Sequence, residues 1–128
     1  WQYILPLAEA APDLPLVIDH IAKPNIAAKQ FDDWAAAMKV AASVPGMHIK
    51  LSGMVTEAAP DWKAEDLKPY VEKALELFGP ERVMFGSDWP AVPLDVEGLV
   101  DRGLALPYSA DTKASILYGN AERLLGIK

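Results

Sequence analysis

Three short, largely apolar runs recur along the chain, Leu16-Val17-Ile18, His48-Ile49-Lys50-Leu51 and Val83-Met84-Phe85, with one helical segment and short turns between each pair. Such runs read as buried strands. Parallel neighbours cannot be joined by a hairpin and need a helix-length crossover, so this spacing is the βαβ repeat and demands an α/β fold. Each run also discharges polar groups where it ends: Asp19 and His20, then Ser52 and Gly53, then Ser87 and Asp88. In parallel α/β architectures that end is where ligands and catalytic groups gather. A flavodoxin-like sheet would usually spend one of these turns on a glycine-rich phosphate loop, and none is present. A portion of a (β/α)8 barrel fits the pattern better.

The connections follow the usual stop and start signals. Ile4, Leu5, Ala8 and Ala11 fall at helical spacing within residues 1–11, with Pro6 tolerable only in the first turn. The chain begins at Trp1 in what reads as the middle of a helix, which suggests a piece of something longer. Residues 21–25 leave the first strand as a loop. Phe31, Trp34, Ala35, Met38, Ala41 and Ala42 trace one face of a helix over residues 32–43, stopped by Pro45-Gly46. The next helix starts at Glu65, with Asp66 as candidate N-cap and Pro69 in its first turn; Leu67, Val71, Ala74, Leu75 and Phe78 form its inner face, and Gly79-Pro80 ends it. After Asp88 the prolines at 90, 93 and 107 break a segment in which residues 96–103 make one short helix. A final helix is expected over residues 111–117, with Asn120 capping a last turn that reaches Leu125 ahead of Gly126.

Composition narrows the function classes. The 128 residues suit one domain, and the absence of cysteine excludes zinc knuckles and thiol nucleophiles and makes a reducing cytoplasm the expected location. A net charge of −6 with no basic stripe argues against nucleic acid as a partner. No apolar run approaches the roughly 20 residues of a membrane span.

The motifs Val17-Ile18-Asp19-His20-Ile21-Ala22-Lys23-Pro24, Lys50-Leu51-Ser52-Gly53 and Met84-Phe85-Gly86-Ser87-Asp88-Trp89-Pro90, followed by Gly119-Asn120-Ala121, stand in that order. As a set they resemble the amidohydrolase-related (amidohydrolase 2) proteins, metal-dependent hydrolases of the TIM-barrel fold that include sugar-acid lactonases and 2-pyrone-4,6-dicarboxylate lactonase. The resemblance runs through essentially the whole chain. It implies that residues 1–128 are the carboxyl-terminal part of a single barrel domain, with the three runs as about its sixth, seventh and eighth strands. A full member is roughly twice this long. The His-x-His pair that the superfamily carries on its first strand is absent, and the other histidine, His48, lies at the start of its strand and reads as structural.

The resemblance also assigns roles. His20 would polarise a substrate carbonyl or bind a metal, either of which a neutral imidazole can do. Asp88, which by itself reads equally as a turn cap before Pro90, would be the base that takes a proton from water. With a divalent metal such as zinc, His20 and Asp88 would be its ligands or act on its bound water; relatives without metal are equally compatible. Lys23, Lys50, Ser52 and Trp89 are the candidate substrate-binding residues. Lys23 reads also as a solvated loop lysine, Lys50 as salt-bridged lower in the barrel because a buried lysine needs a counter-charge, and Trp89 as core. Glu57 lies in a loop with little to distinguish it, and Arg82 reads as a structural residue of the opposite face. The implied activity is opening of a sugar-acid or dicarboxylate lactone by water. The alternatives are a metal-dependent decarboxylase, or a non-catalytic module that pairs with a missing half or with copies of itself because its sheet edges are open.

Overall fold

The computed structural model describes residues 3–92 and 108–127. Three parallel strands form one sheet in the order β1 (Leu16–Ile18), β2 (Met47–Leu51), β3 (Val83–Phe85). Val17 pairs with His48, and Lys50 pairs with Met84. The α/β class and the parallel pairing expected from the spacing are both present, and β2 begins one residue earlier than the apolar run suggests. The short helix expected over residues 96–103 lies outside the described residues.

Helix α1 (Ile4–Ala10) precedes β1 and carries Pro6 in its first turn, where a missing N–H costs nothing. Helix α2 (Phe31–Ala42) has Asp32 and Asp33 in its first turn and Lys39 in its last, which complements the helix dipole. Its Trp34, Met38 and Ala41 are buried. Helix α3 (Ala64–Phe78) buries Tyr70, Ala74, Leu75 and Phe78. Two expectations for α3 are corrected. Lys63 is the N-cap, and Asp66 sits three residues in, where its carboxylate accepts the Lys63 N–H at 2.9 Å. Pro69 therefore lies beyond the first turn; it is tolerated because it and Glu65, whose carbonyl loses its partner, are both on the exposed side.

The core is one cluster in which Ile18, Met47, Ile49, Leu51 and Val83 of the sheet meet Trp34, Met38, Ala41, Tyr70, Ala74, Leu75 and Phe78 of α2 and α3. Trp34 sits at the centre of an aromatic group, with ring centroids 5.7 Å from Phe31 and 5.0 Å from Tyr70. The alternate residues of the sheet point away from these helices. Val17 is 42% exposed, and His48 and Lys50 are half-buried.

The end of the sheet opposite the polar strand exits is held by Arg82. Its guanidinium donates to the carbonyls of Phe78, Ala42, Met47 and Leu77 at 2.9–3.4 Å, tying both helix ends to β2. His48 donates from Nδ1 to the Gly46 carbonyl at 2.9 Å. The chain closes with α4 (Ala110–Ala114), a π-helical turn (Ser115–Gly119) and α5 (Asn120–Leu125), one continuous segment. Asn120 is not a cap: it is 1% exposed, and its amide donates to the Pro80 and Val83 carbonyls at 2.6 Å each. A buried amide with two backbone acceptors is an anchor between elements, which local pattern does not reveal.

Candidate active site

Where β1 ends, the backbone turns left-handed. His20, Ile21, Ala22 and Lys23 have φ of 48°, 45°, 60° and 51°, so the expected loop is a compact reversed turn. Each such non-glycine residue costs about 1–2 kcal/mol, and most of all a β-branched one such as Ile21. The turn is repaid by burial and hydrogen bonding: Ile21 is fully buried, its carbonyl accepts the Trp34 indole N–H at 2.8 Å, and the Lys23 N–H donates to the His20 carbonyl at 2.8 Å. The effect is to turn the His20 ring over the carboxyl end of β2.

There Nδ1 of His20 lies 2.8 Å from the Ser52 hydroxyl. Nε2 faces two carboxylates, Asp19 at 3.3 Å and Asp88 at 3.6 Å. A neutral imidazole placed so keeps its proton on Nε2, and Nδ1 accepts from the serine. Asp88 reaches the group from the end of β3, with φ of 58°, a conformation that aspartate tolerates better than most residues. Gly53 makes the meeting possible. A methyl built on it would fall 2.8 Å from His20 Nδ1 and 2.9 Å from Asp88 Oδ2, so a larger residue there would have to displace these two side chains. At Gly86 a methyl would come 3.2 Å from the Lys50 stem and from the Ser52 Cβ, a tight approach to which a neighbour would have to yield.

Lys50 ends on Asp19 at 2.6 Å. Its counter-charge is thus at the strand exits and not in a lower layer. Burial pushes the Asp19 carboxyl up, but the Lys50 ammonium and His20 outweigh it and hold the group below the ordinary aspartate range. Lys23 pairs with Glu57 at 2.8 Å. Hydrogen bonding to Lys23 lowers the Glu57 carboxyl against the opposing effect of its burial, and the same bond raises the Lys23 ammonium. Glu57 also receives the Thr56 hydroxyl at 3.2 Å, and its carbonyl accepts the Ala27 N–H at 2.9 Å, so this pair joins the loop after β1 to the loop after β2.

The structure therefore brings His20, Ser52, Asp88 and Lys50 to one end of the sheet, with Lys23 just outside. Ser52, a candidate substrate contact in the sequence, is 4% exposed and its hydroxyl is engaged by the imidazole. The core alternative for Trp89 is overturned, because it is 69% exposed beside the site. Asp19 was not among the candidates although it touches both His20 and Lys50; the signal for it was the counter-charge that Lys50 required. Among the described residues no three His, Cys, Asp or Glu side chains are arranged to hold a metal ion. A catalytic zinc takes three protein ligands, of which His20 and Asp88 could supply two.

The sequence model of the Amidohydrolase family matches residues 3–127. An L-fucono-1,5-lactonase of Burkholderia ambifaria is 44% identical over 68% of this chain and 30% of its own length. One from Burkholderia multivorans is 40% identical over 84% of this chain and 42% of its own. Among solved structures, an amidohydrolase of Burkholderia multivorans superposes on 99% of the chain with 50% of its own length used; it was crystallised with HEPES bound (TM-score 0.81, 32% identity) and with zinc bound (TM-score 0.79, 33% identity). The chain thus spans half or less of the length of these relatives, and it belongs to the Amidohydrolase family.

Proposed function

We propose that this chain is the carboxyl-terminal part of a (β/α)8-barrel lactone hydrolase, with β1, β2 and β3 as about the sixth, seventh and eighth strands. The substrate class is a sugar-acid lactone, in keeping with the two lactonases it resembles, or a dicarboxylate lactone. The observation that carries the reading is the facing pair of His20 and Asp88, 3.6 Å apart at the carboxyl ends of β1 and β3.

The chemistry follows from these groups. Asp88, an acceptor only when ionised, takes a proton from water as its oxygen adds to the lactone carbonyl. The Nε2–H of His20 donates to the carbonyl oxygen as negative charge develops there. The ring C–O bond then breaks, and the leaving alkoxide recovers the proton from Asp88, giving the open hydroxy acid. Ser52 holds the imidazole from behind. Lys50 and Lys23 supply positive charge for a substrate carboxylate or hydroxyls, each exchanging its present partner, and Trp89 offers an apolar wall.

A second reading has its own support. On the face of the sheet that carries Val17, His48 and Lys50, Val17 is 42% exposed and the other two are half-buried, and among the described residues β1 and β3 each have one edge unpaired. A chain of these 128 residues alone would self-associate or bind the missing half of the barrel. One experiment separates the two. The chain is assayed against aldonolactones and a pyrone dicarboxylate, alone and mixed with the amino-terminal half of the Burkholderia multivorans lactonase. Turnover in the mixture that Asp88→Asn abolishes supports the hydrolase; a stable complex without turnover on any lactone supports assembly only.

A further inference from the structure

We infer that Trp34 is a positioning residue for His20, acting through the backbone of the left-handed turn and touching no substrate. The inference rests on the reading of His20 as a functional side chain, but the turn itself can be examined without turnover.

A left-handed run over His20, Ile21, Ala22 and Lys23 directs the Ile21 carbonyl into the core, away from any strand or helix partner. A buried carbonyl must be paired, and the group that pairs it is the Trp34 indole N–H on α2, at 2.8 Å. That donor is rigid. Trp34 is 5% exposed and wedged against Phe31 and Tyr70. The other ties of the turn have less hold on its hand. The Lys23 N–H bond to the His20 carbonyl is internal to it, and the Lys23–Glu57 pair joins partly solvated side chains. The indole bond is a buried tie from the turn to a packed helix. Without the N–H, the Ile21 carbonyl would seek another donor and the turn would relax towards ordinary backbone, carrying His20 away from Ser52 and Asp88.

The chain has two histidines, which makes the test simple. In nitrogen-15 NMR of the imidazoles, Trp34→Phe should shift or broaden the ring signals of His20 and leave those of His48, bonded to the Gly46 carbonyl, where they are. Adding Ala22→Gly should restore them, because glycine takes the required φ of 60° freely and the turn then depends less on its latch. Unchanged His20 signals in a folded Trp34→Phe protein would overturn the proposal. So would parallel changes at both histidines that glycine does not reverse, since these mark a general packing role. Should Trp34→Phe not fold, hydrogen exchange of the unaltered chain decides: a Trp34 indole proton as slow as core amides supports the latch, and one as fast as that of exposed Trp89 overturns it. A His20 shift without loss of lactone turnover in the completed barrel would keep the positioning role and sink the functional reading of His20 instead.

Discussion

The imidazole of His20 and the carboxylate of Asp88 stand 3.6 Å apart although they leave different strands, and the backbone of Gly53, just past the end of the strand between them, closes against both. The glycine is at φ +61°, so a side chain there meets strain and two occupied neighbours at once. Gly53→Ala should cost about 1–2 kcal/mol of stability from the left-handed backbone alone. In the completed barrel the displaced pair should lower turnover by about 100-fold, the scale of a misplacement near 1 Å. Chemical denaturation and lactone assay on the same variant check both.

Arg82 offers a test at the far end of the sheet. Its guanidinium satisfies carbonyls from α2, β2 and α3 together. Arg82→Met should destabilise by roughly 2–4 kcal/mol, since hydrogen bonds involving a charged group are worth about 1.5–3 kcal/mol and the carbonyls lose their partner. Arg82→Lys should recover little, because one ammonium cannot reproduce the planar fork. Urea midpoints of the two variants provide the comparison.

Asn120 should behave as a buried anchor and not as a helix cap. Asn120→Ala leaves the Pro80 and Val83 carbonyls without their donor and should cost about 1–3 kcal/mol. Hydrogen exchange should quicken in α5 and at β3 together, showing that the amide joins them.

These two residues mark how far the sequence can be read. Strand positions, their parallel pairing, the role of Arg82 and the need for a charge beside Lys50 follow from local pattern and from the cost of burying a lone cation. Asn120 as an anchor, the left-handed turn at His20 and the involvement of Asp19 do not. Each depends on a partner brought close only by the tertiary fold: Val83 for Asn120, Trp34 for Ile21, Lys50 for Asp19. Asp66 was legible as part of a helix start, but its place in the turn was set by where Lys63 leaves the extended backbone. For Trp89, bulk and hydrophobicity allowed either a core place or a wall of the site, and only its position beyond the strand end, where it is exposed, decides against the core.

Acid should weaken the fold through two carboxylates. Asp19 and Glu57 both titrate below their ordinary values of 3.8 and 4.5 in the folded chain. Their contribution is therefore present above those values and is lost as pH falls through the depressed folded ones. Urea denaturation from neutral pH down to about pH 2.5 should show a falling limb that Asp19→Asn and Glu57→Gln each flatten. Lys23, raised above 10.5, contributes below that value, and its share is lost as alkaline pH passes through the raised one.

Asp88 is proposed as the base for attack on a lactone. The direct measurement is the turnover of an aldonolactone by the completed barrel, with and without Asp88→Asn, alongside circular dichroism to show that both are folded. General-base catalysis contributes about 100- to 10,000-fold, so Asp88→Asn should lose that much in kcat with the fold retained. A folded Asp88→Asn protein that opens the lactone at the unaltered rate would contradict it.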